Sequence, residues 1–208
     1  MNIMLLLDLL GVFFFAVSGS LLAARRGFDI VGSAMLASLV GLGGGVIRDL
    51  VIGQGVPNAF QQPLYVIPPV LAVLAVYFHV FGVRRLRRTL MIFDAGGLAL
   101  FCVTGTVTAL ASGMGAVSSA LLGLTTAVGG GIMRDAVSNR VPQVFNPRGV
   151  YAIPAMVGAA MTSTLSSVGW LNPVTGTVVA ALVFTARVMS LRYGWRVPLA
   201  SGIGASIP

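Results

Sequence analysis

Two short motifs hold most of the charges that could do chemistry in this chain. Gly43-Gly44-Gly45 is followed by Arg48-Asp49, and Gly129-Gly130-Gly131 is followed by Arg134-Asp135. Both motifs lie within long apolar stretches. An ionised side chain at membrane depth is a functional candidate, because it must pair or face water. Adjacent residues on a helix do not face each other, so each arginine calls for a partner on another segment. Depth suggests Asp8 for Arg48 and Asp94 for Arg134. Such pairs either tie helices together or face a polar path, where they would gate or select ions. The glycines also admit two readings. Gly41-x-x-x-Gly45 and Ala127-x-x-x-Gly131 fit the small-xxx-small pattern of close helix packing. Alternatively, each interior glycine costs about 1 kcal/mol relative to alanine, so a triplet is a weak point. A helix that breaks there would have to be buried or line a water-filled cavity. Freed carbonyls at the end of a half-helix favour a cation. Broken helices at Gly43–Gly45 and Gly129–Gly131 are the expectation carried forward.

Other chemistries find little support. One cysteine, Cys102, excludes an internal disulfide, and with one histidine, His79, no metal site is expected. Cys102 reads as a small core residue and His79 as a satisfied polar group near a helix end. No Gly-Lys-Ser/Thr follows the glycines, which excludes a nucleotide loop. No nucleophile–histidine pair is available, so no enzyme and no cofactor are expected.

The elements that must position these residues follow from composition. Hydrophobic residues make up 57% of the 208 residues and charged ones only 9%. Mean hydropathy is +0.97. Soluble domains carry about 25% charged residues, so a water-soluble fold is excluded. The net charge of +8 is entirely arginine in origin and sits between apolar runs. That placement marks topology and excludes a nucleic-acid-binding face.

A membrane-spanning helix needs about 20 apolar residues. Seven are predicted, over 4–24, 31–52, 64–81, 91–111, 117–139, 150–169 and 173–190. Breaks fall at Gly113-Met114-Gly115 and Trp170-Leu171-Asn172-Pro173. Pro68-Pro69 and Pro154 are expected to kink the third and sixth spans. Tyr65, Tyr151, Trp170 and Trp195 read as interfacial anchors. The first span lacks a positive leader and carries Asp8, so it reads as a retained helix. Arginines occur in the first, third and fifth loops and in the tail. The positive-inside rule then places the N-terminus outside and the C-terminus in the cytoplasm. Arg84, Arg85, Arg87 and Arg88 form the densest cluster. Besides setting topology, they could attract anionic lipid at about 1 kcal/mol per arginine.

The sequence also repeats itself at an offset of 86. Residues 8–49 match 94–135 at 16 of 42 positions without a gap, including Asp8/Asp94, both glycine triplets and both Arg-Asp pairs. Tyr65, Ile67 and Pro68 match Tyr151, Ile153 and Pro154. Three spans per copy is an odd number, so the second copy must enter the membrane from the opposite face. The expected fold is an all-α membrane protein: two inverted three-helix repeats (1–82 and 91–169), an Arg-rich cytoplasmic linker (83–90), a seventh helix (170–191) and a tail (192–208).

Gly41-Leu-Gly-Gly-Gly-Val-Ile-Arg-Asp49 and Val128-Gly-Gly-Gly-Ile-Met-Arg-Asp135, each followed by Val-Pro and Tyr-x-Ile-Pro, resemble the prokaryotic branch of the trimeric intracellular cation channel family. The resemblance implies a homotrimer with one pore per protomer, conducting potassium and also sodium. It implies that the second and fifth spans line the pore and bend at Gly43–Gly45 and Gly129–Gly131. Eukaryotic relatives carry a lysine-bearing segment in place of one triplet; this chain has no lysine, so that gating does not carry over. The same bacterial domain is also described as a glycine transporter. A secondary transporter of a small zwitterion such as glycine is therefore the alternative. Either function places the chain in a bacterial or archaeal cell (inner) membrane, with lipid as its surroundings.

Overall fold

A computed structural model describes residues 3–78, 86–146 and 150–195. It is helical throughout, with no strand among the described residues. The helices are α1 (Ile3–Arg25), α2 (Ile30–Ile52), α3 (Asn58–Gln61), α4 (Ile67–Tyr77), α5 (Leu86–Ala111), α6 (Ala116–Val137), α7 (Ala152–Ser167) and α8 (Pro173–Tyr193). Single 3-10 turns occupy Pro63–Val66 and Gln143–Phe145. Five helices (α1, α2, α5, α6 and α8) are long and apolar enough to cross a membrane.

Helix ends follow local chemistry. Asp29 caps α2 by accepting a hydrogen bond from Gly32 N at 2.7 Å. Asn172 and Thr175 close a reciprocal capping box at α8, with Pro173 in the first position. Gly113, at φ 90°, turns the chain out of α5 in a conformation that a Cβ would strain. The expected breaks after the fourth and sixth spans are therefore real.

Three expectations need correction. Pro68 and Pro69 lie in the first turn of α4, and Pro154 is the third residue of α7. Backbone N–H groups there have no intrahelical acceptor, so proline starts these helices and does not kink them. The third predicted span is divided into a 3-10 turn and the shorter α4. Finally, α5 begins at Leu86, so part of the expected linker is helix. Arg87 and Arg88 stand exposed on its first turn. His79, Arg84, Arg85 and Arg148 lie outside the described residues, as does the tail beyond Trp195.

The outer surface is apolar, and charged side chains are held inside, within an otherwise hydrophobic core. Met35, Val117 and Val174 are at least 70% exposed, whereas Arg48, Arg134 and Arg187 are at most 2% exposed. That inversion suits a hydrocarbon solvent. At the centre α1 packs on α5. Gly97 seats the Phe15 ring and Gly11 seats the Phe101 ring, with the two ring centroids 5.4 Å apart. Next, α2 packs on α1, α6 on α5, and α2 on α6. Then α4 covers α1 and α2, α7 covers α5 and α6, and α8 closes over α5 and α7.

Two buried arginine–aspartate centres as the candidate functional site

The expected pairings form. Arg48 on α2 donates through Nη1 to Asp8 Oδ1 on α1 at 3.0 Å. Arg134 on α6 donates through Nη1 to Asp94 Oδ1 on α5. Each arginine also bonds its own neighbour, Arg48 Nε to Asp49 Oδ1 at 2.8 Å and Arg134 Nε to Asp135 Oδ1 at 2.9 Å. The expectation that adjacent residues would not pair was wrong. A long guanidinium stem can fold back near a helix end, where the next carboxylate is not yet committed to a further turn.

Asp49 and Asp135 have a second task. Asp49 Oδ2 accepts from Asn58 N at 2.9 Å, and Asp135 Oδ2 accepts from Gln143 N at 3.0 Å. Each therefore ties the segment after Pro57 or Pro142 back onto its helix. Tyr65 and Tyr151, expected at the interface, are instead buried in the centres. Tyr65 Oη donates to Asp8 Oδ2 at 2.7 Å and Tyr151 Oη to Asp94 Oδ1 at 3.3 Å. Both rings are buried within the protein, where each hydroxyl supplies a donor that a buried carboxylate needs.

The two centres are also stitched to each other's half. Thr104 Oγ1 donates to Asp8 Oδ1 at 3.0 Å, and Arg134 Nη1 donates to Ser18 Oγ at 3.2 Å. Thr104 lies ten residues beyond Asp94 on α5, and Ser18 ten residues beyond Asp8 on α1. At 1.5 Å per residue, the centres are about 15 Å apart along the bundle, and α1 and α5 run antiparallel. Consistently, Arg26, just past the end of α1, donates to Ser138 O at the end of α6.

The glycine triplets lie between these levels, where α2 crosses α6. Both helices run unbroken through them. The expectation of broken helices is corrected: at these positions the packing reading holds. A Cβ on Gly44 would collide with Thr126 O, and one on Gly130 with Val40 O. One on Gly131 would collide with Tyr151 Oη. The backbones approach so closely that each helix supplies the wall against which the other's hydrogen-bond ladder stays dry and intact. Gly43 faces the Met133 side chain, and Gly129 is near Ile47. Gly45 is different, with nothing closer to its missing Cβ than Arg48 Nη2 at 3.7 Å.

The centres differ in solvation. Beside the first, a cavity of ≈ 10 Å³ lies among Asp8, Val12, Leu42, Gly45, Arg48, Asp49 and Tyr65. That is room for about one water molecule. The second is fully enclosed, and Asp94 and Arg134 are 0% exposed. Arg187 on α8 is added there. It donates to Val150 O and to Gln143 Oε1, each at 3.1 Å, and lies 4.8 Å from the centroid of the Tyr151 ring. Sequence reasoning missed Arg187, Gln143, Thr104 and Ser18. Arg187 alone carried a signal, as a charge inside the last predicted span. Cys102 is the buried core residue expected.

Known proteins share this arrangement of chain. The family model described as "Glycine transporter" matches residues 5–80 and 91–167. A UPF0126 membrane protein of Deinococcus radiodurans is 41% identical over 156 residues, 74% of this chain and 72% of that one. The UPF0126 membrane protein YvgT of Bacillus subtilis is 31% identical over 195 residues, 93% of this chain and 94% of its own. Among solved structures, the TRIC trimeric intracellular cation channel orthologue from Rhodobacter sphaeroides is similar at a TM-score of 0.86 and 36% identity, covering 94% of this chain and 100% of that one. Both Arg-Asp pairs, with Asp8 and Asp94, fall within the residues matched by the family model, and the protein therefore belongs to the UPF0126 membrane protein family, the prokaryotic branch of the trimeric intracellular cation channels.

Proposed function

We propose that the protein is a channel for monovalent cations, potassium and also sodium, acting as a homotrimer with one pore per protomer along α2 and α6. The observation that carries this reading is the pair of ionised centres at opposite ends of that helix crossing. In the α1–α2 and α5–α6 clusters, two aspartates surround one arginine. At the first centre this leaves an excess negative charge, which lowers the cost of a cation and raises that of an anion, whereas Arg187 from α8 balances the charge at the second. Likeness to a solved cation channel over nearly the whole chain supports the same reading.

Intact helical ladders change how a cation would be held. Freed carbonyls at the triplets do not serve; the carboxylates Asp8, Asp49, Asp94 and Asp135 do. In this reading the path is closed where Gly44 and Gly130 bring α2 and α6 together, an approach that supports a closed conformation. Opening parts these helices and releases Arg48 and Arg134 from their carboxylates. Either arginine, if it moves through the field, responds to voltage, since one charge across 100 mV is worth about 2.3 kcal/mol.

The topology that goes with this function is seven spans as two inverted three-helix repeats plus one, the third and sixth being built on α4 and α7. The arginine-bearing face is cytoplasmic, the N-terminus lies outside, and the host membrane is the cell (inner) membrane. Arg87 and Arg88, exposed on the first turn of α5, meet anionic headgroups at that face.

The test is a planar bilayer holding purified protein under a potassium chloride gradient. Unitary currents reversing near the potassium equilibrium potential are expected. Silent bilayers with insertion verified would overturn the proposal. A second reading, transport of a zwitterion such as glycine, is favoured by the description of the matching family model. Carboxylate and guanidinium side by side suit a zwitterion, but the cavity at the first centre holds about one water, too little for glycine. Saturable, ion-coupled glycine uptake into liposomes without unitary currents would establish it instead.

A further inference from the structure

We propose that Arg187 is a positioning residue through which α8 clamps the second centre shut, so that the first centre is the one that yields first. The two centres match in almost every contact, and the clamp is where they part. Arg187 reaches both carboxylates of the second centre through one intermediary each. Its guanidinium lies against the Tyr151 ring, whose hydroxyl donates to Asp94. Its Nη2 donates to Gln143 Oε1, and Gln143 N donates to Asp135. A third tie, Val150 N to Ser190 Oγ at 3.1 Å, fixes Val150, two residues before α7, to α8.

The first centre has none of this. Tyr65 carries no stacked guanidinium among the described residues, and a water-sized cavity lies beside it. The difference follows from the sequence, because α8 stands outside the 86-residue repeat and has a single copy. The clamp also changes charge. One arginine faces two aspartates at the first centre, whereas two arginines face two aspartates at the second.

Something must hold the second centre closed. Asp94 Oδ2, Arg134 Nη2, Ser138 Oγ and Arg187 Nε are buried there without a hydrogen-bond partner among the described residues. Opening to water would satisfy each of them, and unpaired buried groups are costly. Arg187 opposes that opening by joining α8 to Tyr151, Gln143 and Val150 at once. The idea rests on the channel reading only for its electrical consequence.

The experiment uses the full chain in lipid nanodiscs, in a Cys102→Ala background, with a membrane-impermeant thiol reagent. Ser138→Cys, a buried position one turn past Arg134, reports on the second centre, and Ala59→Cys, which lines the cavity beside Asp8 and Arg48, reports on the first. Arg187→Met keeps the side-chain stem and removes the charge. It should raise labelling at position 138 about tenfold or more, as expected for loss of local protection, and leave position 59 unchanged. Arg187→Lys, which keeps the charge and can reach one acceptor, should give a smaller rise. In bilayers Arg187→Met should alter current rectification and Arg187→Lys should largely preserve it. Equal rises at both probes would mean general loosening by a merely structural arginine, and no rise at 138 would mean no clamp; either overturns the proposal. If Arg187→Met fails to assemble, the Arg187→Lys labelling ratio between the two probes decides. Silent wild-type bilayers with the expected labelling would sink the channel reading and leave the clamp standing.

Discussion

Adjacent glycines in one triplet do different work, and only their neighbours show it. Gly44 and Gly130 each abut a backbone carbonyl of the facing helix, and a backbone cannot swing aside. Gly44→Ala and Gly130→Ala should therefore push α2 and α6 apart and destabilise the protein by about 1–3 kcal/mol, the usual range for overpacking. Gly45 has room for a methyl group. Gly45→Ala should be neutral or stabilising by up to about 1 kcal/mol, since it removes a flexible residue from a helix interior. Thermal unfolding in detergent separates the three variants, and equal shifts would refute this assignment. The Arg-Asp pairs show the same dependence on surroundings. Identical in sequence, they end in different environments: Asp94 is sealed, and Asp8 borders a cavity.

Helices here are delimited by local signals that were readable in advance, except where proline was concerned. Asn172 is the clearest case, since its side chain accepts from Val174 N and Thr175 N while Thr175 bonds back. Asn172→Ala should cost about 1 kcal/mol, the typical loss of an N-cap. It should fray the start of α8, while the far end at Arg187 remains held. Hydrogen exchange by mass spectrometry should show faster exchange confined to the amides of residues 174–176. Protection lost along the whole of α8 would mean that the cap, not the Arg187 contacts, fixes this helix. The shortness of α4 and α7 has a related cause. Pro68-Pro69 and Pro154 set where each helix can begin, and the preceding chain is drawn inward so that Tyr65 and Tyr151 can reach their aspartates.

At the scale of the molecule, the outer surface is a problem that a monomer solves only partly. Met35, Leu50 and Val51 on α2, and Val117, Leu121 and Val137 on α6, are strongly exposed. Lipid can cover such surface, and so can further copies of the chain. The homotrimer proposed above predicts a native mass three times the 21.5 kDa of the chain when the protein is released from mild detergent or nanodiscs. A monomeric mass under conditions that preserve conduction would refute the trimer without touching the pore.

The sequence by itself determined that the chain is a membrane protein, where five of its long apolar helices run, that its sequence is duplicated, and that Arg48 meets Asp8 and Arg134 meets Asp94. Those conclusions rest on hydropathy, caps and repeat spacing, which are local or periodic and can be read along one dimension. Tertiary structure decided the rest. Whether a glycine triplet breaks a helix or lets two helices touch depends on what stands opposite, and opposite residues such as Thr126 and Val40 are remote in the chain. Tyr151 turned inward because Asp94 was there to accept its hydrogen bond, and Arg187 joined the second centre because α8 folded over it. Depth along a helix sufficed to pair Arg48 with Asp8 and Arg134 with Asp94, but the inward turn of Tyr151 and the arrival of Arg187 were set by burial of charge in three dimensions.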